Sequence, residues 1–109
     1  MSTLSTHVLD TSLGKPAAGV SIALDRVDGS PAHLGAAQTD NQGRARDIAS
    51  APLVAGTYRL RFDTGEYFAR TGRETLYPEV VITFVVGDNE HYHVPLLVSP
   101  FGYSTYRGS

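Results

Sequence analysis

Apolar and polar side chains alternate in short runs along most of this chain, and a period of two marks a strand with one buried face. Val20, Ile22 and Leu24 alternate with Ser21, Ala23 and Asp25, and Tyr58, Leu60 and Phe62 alternate with Arg59, Arg61 and Asp63. Ser5 to Asp10 reads as a further strand and Leu34 to Thr39 as a weaker one. The segments Leu13-Gly14-Lys15-Pro16-Ala17, Asp28-Gly29-Ser30-Pro31 and Asp40-Asn41-Gln42-Gly43 carry turn formers and read as loops. Only Glu66 to Thr71, between Thr64-Gly65 and Gly72, suggests a helix. At about two turns it depends on packing of Tyr67 or Phe68, because isolated turns are unstable.

Val80 to Val86 differs in kind, since both of its alternate faces are apolar. Such a strand is expected to be covered on both sides. Either a second subunit covers the outward face, which argues for self-association, or the strand lies wholly inside one subunit. Gly87-Asp88-Asn89-Glu90 is expected to turn the chain back into Glu90 to Val98 as a late hairpin. Pro95 lies inside that returning strand and lacks a ladder N–H, which predicts a bulge or a sheet edge there. The fold class is all-β: a two-sheet β-sandwich of about eight short strands with one short helix.

With 109 residues the chain is read as a single domain, residues 1–109. Hydrophobic residues at 41% and charged ones at 18% place it among ordinary folded proteins, and no apolar run is long enough for a bilayer. A formal charge of -2, with Lys15 the only lysine and the arginines scattered, supplies no basic field for nucleic acid. The absence of cysteine removes disulfides, redox thiols and thiolate metal sites. Met1 to Thr6 lacks the basic start and apolar centre of a signal peptide, so a cytoplasmic location is expected.

Among the four histidines, His91 and His93 stand two apart on a strand, which places them on one face about 7 Å apart. Imidazole is the side chain suited to accept and return protons near neutrality. The same pair with His7 would suit a metal, although no carboxylate or cysteine cluster reinforces that set. Arg44 follows a turn that delivers its guanidinium to the mouth of a strand, where a fixed fork suits two neighbouring oxygens. Its ordinary alternative is an ion pair with Asp40 or Asp47. The terminal Tyr103-Ser104-Thr105-Tyr106-Arg107-Gly108-Ser109 mixes phenols, hydroxyls and a guanidinium behind the apolar Val94 to Val98. It is either a frayed tail or a segment built to touch something.

Taken together, Ser5 to Asp10, Gly14-Lys15-Pro16-Ala17, Thr39 to Arg44, Tyr77-Pro78-Glu79-Val80, His91-Tyr92-His93-Val94-Pro95-Leu96-Leu97 and Tyr103 to Ser109 form a set over the whole chain. That set resembles the transthyretin-like family in its 5-hydroxyisourate hydrolase branch. The ending Tyr106-Arg107-Gly108-Ser109 separates this branch from the hormone carrier. The resemblance implies a homotetramer with active sites in a channel between dimers, and cofactor-free hydrolysis of the ring amide of 5-hydroxyisourate. It also implies His7, Arg44, His93 and Ser109 as catalytic residues, with His7, Arg44 and Tyr106 contacting substrate and no metal ligand. His91 and Arg107 are expected to support. The alternative is a carrier that binds a small aromatic molecule without turning it over.

Overall fold

A computed structural model describes residues 1–109. In chain order the elements are β1 (Thr3–Asp10), β2 (Lys15–Pro16), β3 (Ser21–Arg26), β4 (Ala32–Gln38), β5 (Arg44–Ala45), β6 (Gly56–Phe62), α1 (Thr64–Arg70), β7 (Val80–Val86), β8 (His91–Ser99) and β9 (Gly102–Thr105). Two sheets face each other. One has the order β2-β1-β8-β9 with β5 also on β1, and the other has the order β4-β3-β6-β7. Val8, Leu24, Leu60, Phe62, Leu96 and Val98 are buried between them. This is the two-sheet sandwich with one short helix that the alternation predicts. The strand count is nine: Lys15–Pro16, expected to be loop, pairs with Leu9 and Asp10, and Arg44–Ala45 and Gly102–Thr105 add to the six segments read as strands.

The expected late hairpin is not formed. β7 belongs to the four-stranded sheet and β8 to the other, so Gly87 to Glu90 carries the chain across the sandwich. Turn residues mark where a chain bends, and the partner it bends toward is decided by which sheet buries the next apolar face. Pro95 is neither at an edge nor in a bulge, because β8 runs between β1 and β9. Its missing N–H falls in a gap of the second ladder: pairing with β9 stops at Leu96↔Thr105, and the same register resumes at His93↔Gly108.

Val80 to Val86 is an edge strand. Val80, Ile82 and Val86 are buried, whereas Val81 is 40% and Val85 72% exposed. Burial of this strand wholly within one subunit is therefore excluded, and its outer apolar face lies open on the single chain. Helix α1 is held at both ends by its sequence. The Asp63 carboxylate accepts the Glu66 N–H at 3.1 Å. Gly72, at φ +71°, closes the other end with a Schellman pair, Arg73 N–H to the Phe68 carbonyl and Gly72 N–H to that of Ala69. That closure aims Arg73 at Asp10, the buried end of β1, where Nη2 lies 2.6 Å from Oδ2. No helix is long and apolar enough to cross a membrane.

Candidate active site

β1 and β8 pair in parallel, with Thr3 opposite His91, Ser5 opposite His93 and His7 opposite Pro95. Leu4, Thr6 and Val8 point into the core and Tyr92, Val94 and Leu96 do the same. The alternate residues Thr3, Ser5, His7, His91 and His93 therefore share the outward face of the five-stranded sheet. This face is polar where a sandwich would ordinarily tolerate anything soluble, and its groups are bonded to one another. Thr3 Oγ1 lies 2.6 Å from His91 Nδ1, Ser5 Oγ 2.9 Å from His91 Nε2, and the same Oγ 2.8 Å from His93 Nδ1.

Arg44 enters from the other side of β1, directly opposite His7. Its position is set by the turn before it. The Asp40 carboxylate accepts the N–H groups of Gln42 and Arg44 at 2.8 and 3.0 Å, and Gly43 takes φ +76° where a β-carbon would strike the Val8 carbonyl. Asp40 thus holds the Arg44 backbone while the guanidinium makes no ion pair with Asp40 or Asp47. A guanidinium without a carboxylate partner is available to a ligand. His7 Nε2–H donates to the Gln42 carbonyl at 2.7 Å, so when neutral it carries its proton on Nε2 and leaves Nδ1 as the acceptor.

The terminal segment is ordered rather than frayed. β9 pairs with β8, Thr105 Oγ1 donates to the Pro95 carbonyl at 2.7 Å, and Gly108 N–H donates to the His93 carbonyl at 2.8 Å. Arg107 reaches back to Glu90 at 3.2 Å and lies 4.7 Å over the Tyr92 ring. With Arg107 tied to that side, Ser109 lies in a groove of about 640 Å³ that also takes in Ser5, Arg44, Arg46, His91 and His93. Burial pushes the His93 imidazole below its ordinary pKa, and the neighbouring His7, His91 and Arg44 push it further. A neutral, half-buried His93 with Nε2 unbonded is a base placed beside a free guanidinium.

The HIUase/Transthyretin family profile matches residues 4–108. This chain belongs to the HIUase/Transthyretin family. It is similar to the 5-hydroxyisourate hydrolase of Caulobacter vibrioides, 50% identical with all of both chains covered. The solved Klebsiella pneumoniae 5-hydroxyisourate hydrolase matches it with a TM-score of 0.90 at 49% identity, again over all of both chains. Sea bream transthyretin in complex with thyroxine matches with a TM-score of 0.89 at 28% identity, covering 97% of this chain and 94% of that one. The HIUase/Transthyretin fold thus carries both a hydrolase and a thyroxine-bound protein, and the residues of the groove must distinguish them.

Of the residues expected to act, this family member brings Arg44, His93 and Ser109 into the groove. His7 stands beside them, paired across from Arg44 rather than lining the groove. Tyr106 is 58% exposed and outside it, in the unpaired stretch that faces Pro95. His7, His91 and His93 do not converge as a metal-binding set. Nothing in the sequence gives Thr3, Ser5 or Gly108 an individual role in the site. The alternation Thr3, Ser5, His7 would have put Ser5 on the histidine face, but the parallel pairing with His91 and His93 had no local signal.

Proposed function

We propose that this chain hydrolyses the ring amide of 5-hydroxyisourate to 2-oxo-4-hydroxy-4-carboxy-5-ureidoimidazoline, without a cofactor, as one step of urate degradation. The observation that carries the reading is the joining of His93, Arg44 and Ser109 in one polar groove, in a chain half identical throughout to a 5-hydroxyisourate hydrolase. Residues 1–109 act as one domain. Opening the ring requires water attack on the amide carbonyl, a base for its proton, donors for the developing oxyanion and an acid for the leaving nitrogen.

His93 takes the proton of a water held with Ser109, through the Nε2 that no protein group engages. His7 serves as a further proton acceptor through Nδ1, the nitrogen that the Nε2–H bond to the Gln42 carbonyl leaves unprotonated. Arg44 presents its fork to neighbouring carbonyl oxygens of the flat substrate, and Tyr106 adds a hydroxyl contact once a neighbouring subunit closes the site. Fixing substrate and water in register lowers the barrier beyond the proton transfers themselves. A carrier slot is mostly apolar with few polar groups; here polar and charged side chains predominate.

A homotetramer with sites in a channel between dimers belongs to the same proposal. It is supported by the open edges of β7 and β9 and by the exposed Val85, Phe101, Tyr103 and Tyr106, which a second copy would cover. A cytoplasmic location completes the reading and is checked by cell fractionation. The deciding experiment is the decay of freshly generated 5-hydroxyisourate with and without the protein. Acceleration over the spontaneous rate supports hydrolysis, whereas saturable binding with no acceleration returns the chain to the carrier class. Sedimentation equilibrium decides between monomer, dimer and tetramer.

A further inference from the structure

Four groups on the outward face form a continuous hydrogen-bonded chain: Thr3 Oγ1 to His91 Nδ1 at 2.6 Å, His91 Nε2 to Ser5 Oγ at 2.9 Å, and Ser5 Oγ to His93 Nδ1 at 2.8 Å. A hydroxyl donates once and accepts, and a neutral imidazole donates from one nitrogen and accepts at the other. Two arrangements run in one direction from end to end, and a third, in which Ser5 accepts from both imidazoles, interrupts the chain. In the first, His93 Nδ1–H donates to Ser5, Ser5 donates to His91 Nε2, and His91 Nδ1–H donates to Thr3; His93 Nε2 then has a free lone pair. In the second every donor is reversed and His93 Nε2 carries a proton.

We propose that Ser5, His91 and Thr3 are a proton relay that converts His93 from base to acid and back while it stays neutral, an inference that rests on the hydrolase reading above. In the attack step His93 Nε2 takes a proton from water, Nδ1 passes its own to Ser5, Ser5 to His91, His91 to Thr3, and Thr3 releases one to solvent. In the breakdown step Nε2–H protonates the leaving nitrogen, and one proton from solvent returns through Thr3 to restore the first direction. One proton leaves and one enters, so the cycle balances.

Two observations favour the relay over storage of the proton on His93. Its outer end is open, since Thr3 and His91 are both exposed. An imidazolium at His93 is opposed by burial and by His7 from β1, Arg44 from β5 and His91 on its own strand, with Arg46 in the same groove adding to them and Asp47 countering. Ser5 and Thr3 are positioning residues, because they act through His93 and need not touch substrate.

The test is steady-state turnover of 5-hydroxyisourate by the full-length protein and its Ser5→Ala and Ser5→Thr variants, in water and in mixtures with heavy water. Ser5→Ala keeps both imidazoles and cuts the chain; kcat should fall on the order of tenfold, a fraction of a full acid–base contribution, with KM within about twofold. Ser5→Thr should restore kcat. A plot of rate against deuterium fraction should be curved for the parent, where several protons move, and straight for Ser5→Ala. Should Ser5→Ala fail to fold, Thr3→Val at the exposed end carries the same comparison. An active parent whose Ser5→Ala variant keeps kcat within about twofold, or whose loss Ser5→Thr does not rescue, overturns the relay. A parent without turnover overturns the hydrolase reading itself, and the relay with it.

Discussion

Gly108 leaves no room for a β-carbon against the edge of the His93 imidazole, and its N–H is donated to the His93 carbonyl at 2.8 Å. The tail is thereby pressed onto the ring whose Nδ1 is held by Ser5, and Ser109 is delivered beside it. A side chain at position 108 must displace either the ring or the terminal strand. In Gly108→Ala, kcat should fall between about tenfold and a hundredfold, since misplacement by about an ångström costs on that order. The thermal midpoint should move by only a few degrees, because the core between the sheets is untouched. Parent-like kinetics in this variant would show that the contact does not set the ring.

Removal of Tyr106 to Ser109 leaves β9 paired through Thr105 but takes away the His93↔Gly108 bridge, the Arg107–Glu90 contact and Ser109. Turnover should drop to near the spontaneous rate while far-ultraviolet circular dichroism stays that of the parent. Full turnover by the shortened chain would remove the tail from the site altogether.

Because burial, His7, His91 and Arg44 lower the His93 pKa, its neutral form should persist below the ordinary imidazole range. The working sign is that a base must be unprotonated, so kcat/KM should fall on the acid side with a midpoint below about 6.5. His7→Ala and His93→Ala should each cost roughly a hundredfold or more, the usual scale of acid–base catalysis. Loss of less than about threefold from either would remove that histidine from proton transfer.

Asp10 is fully buried at the end of β1. Burial by itself raises its pKa, but Arg73, Ser12, Tyr67 and the Leu13 N–H outweigh it and hold the carboxyl at about 2 against 3.8. The folded-state pKa is depressed, so the stabilisation is present above about pH 4 and is lost as pH falls toward about 2. Its size is about 2 kcal/mol. Asp10→Asn should destabilise by roughly 3 kcal/mol, as breaking a buried pair does, and should flatten the acid limb of the stability curve. Urea unfolding of both proteins at neutral and acid pH checks this; an unchanged acid limb would place the sensitive group elsewhere.

Much of the fold is visible in the sequence because strand faces, turn residues and helix ends are local matters. The two-residue period of Tyr58 to Asp63 and the boundaries of Val80 to Val86 follow from neighbouring side chains, and Gly72 ends α1 as its conformational freedom allows. The hairpin expected at Gly87 to Glu90 fails for the complementary reason. Nothing local distinguishes a turn within a sheet from a crossing between sheets, since both need the same residues. Pro95 likewise signalled an interrupted ladder, but an interior gap beside Tyr106 satisfies its missing N–H as well as an edge does.

The sequence by itself determined the strand periodicity, the Asp40 to Gly43 turn that presents Arg44, the shared face of His91 and His93, and the chemical character of the tail. Only the tertiary structure decided that β1 lies parallel to β8, which turns Thr3 and Ser5 into partners of those histidines, and that Gly108 packs on His93. Residues 88 positions apart in sequence meet there. Such pairings are set by which apolar faces close the core, and the polar faces opposite are brought together as a consequence.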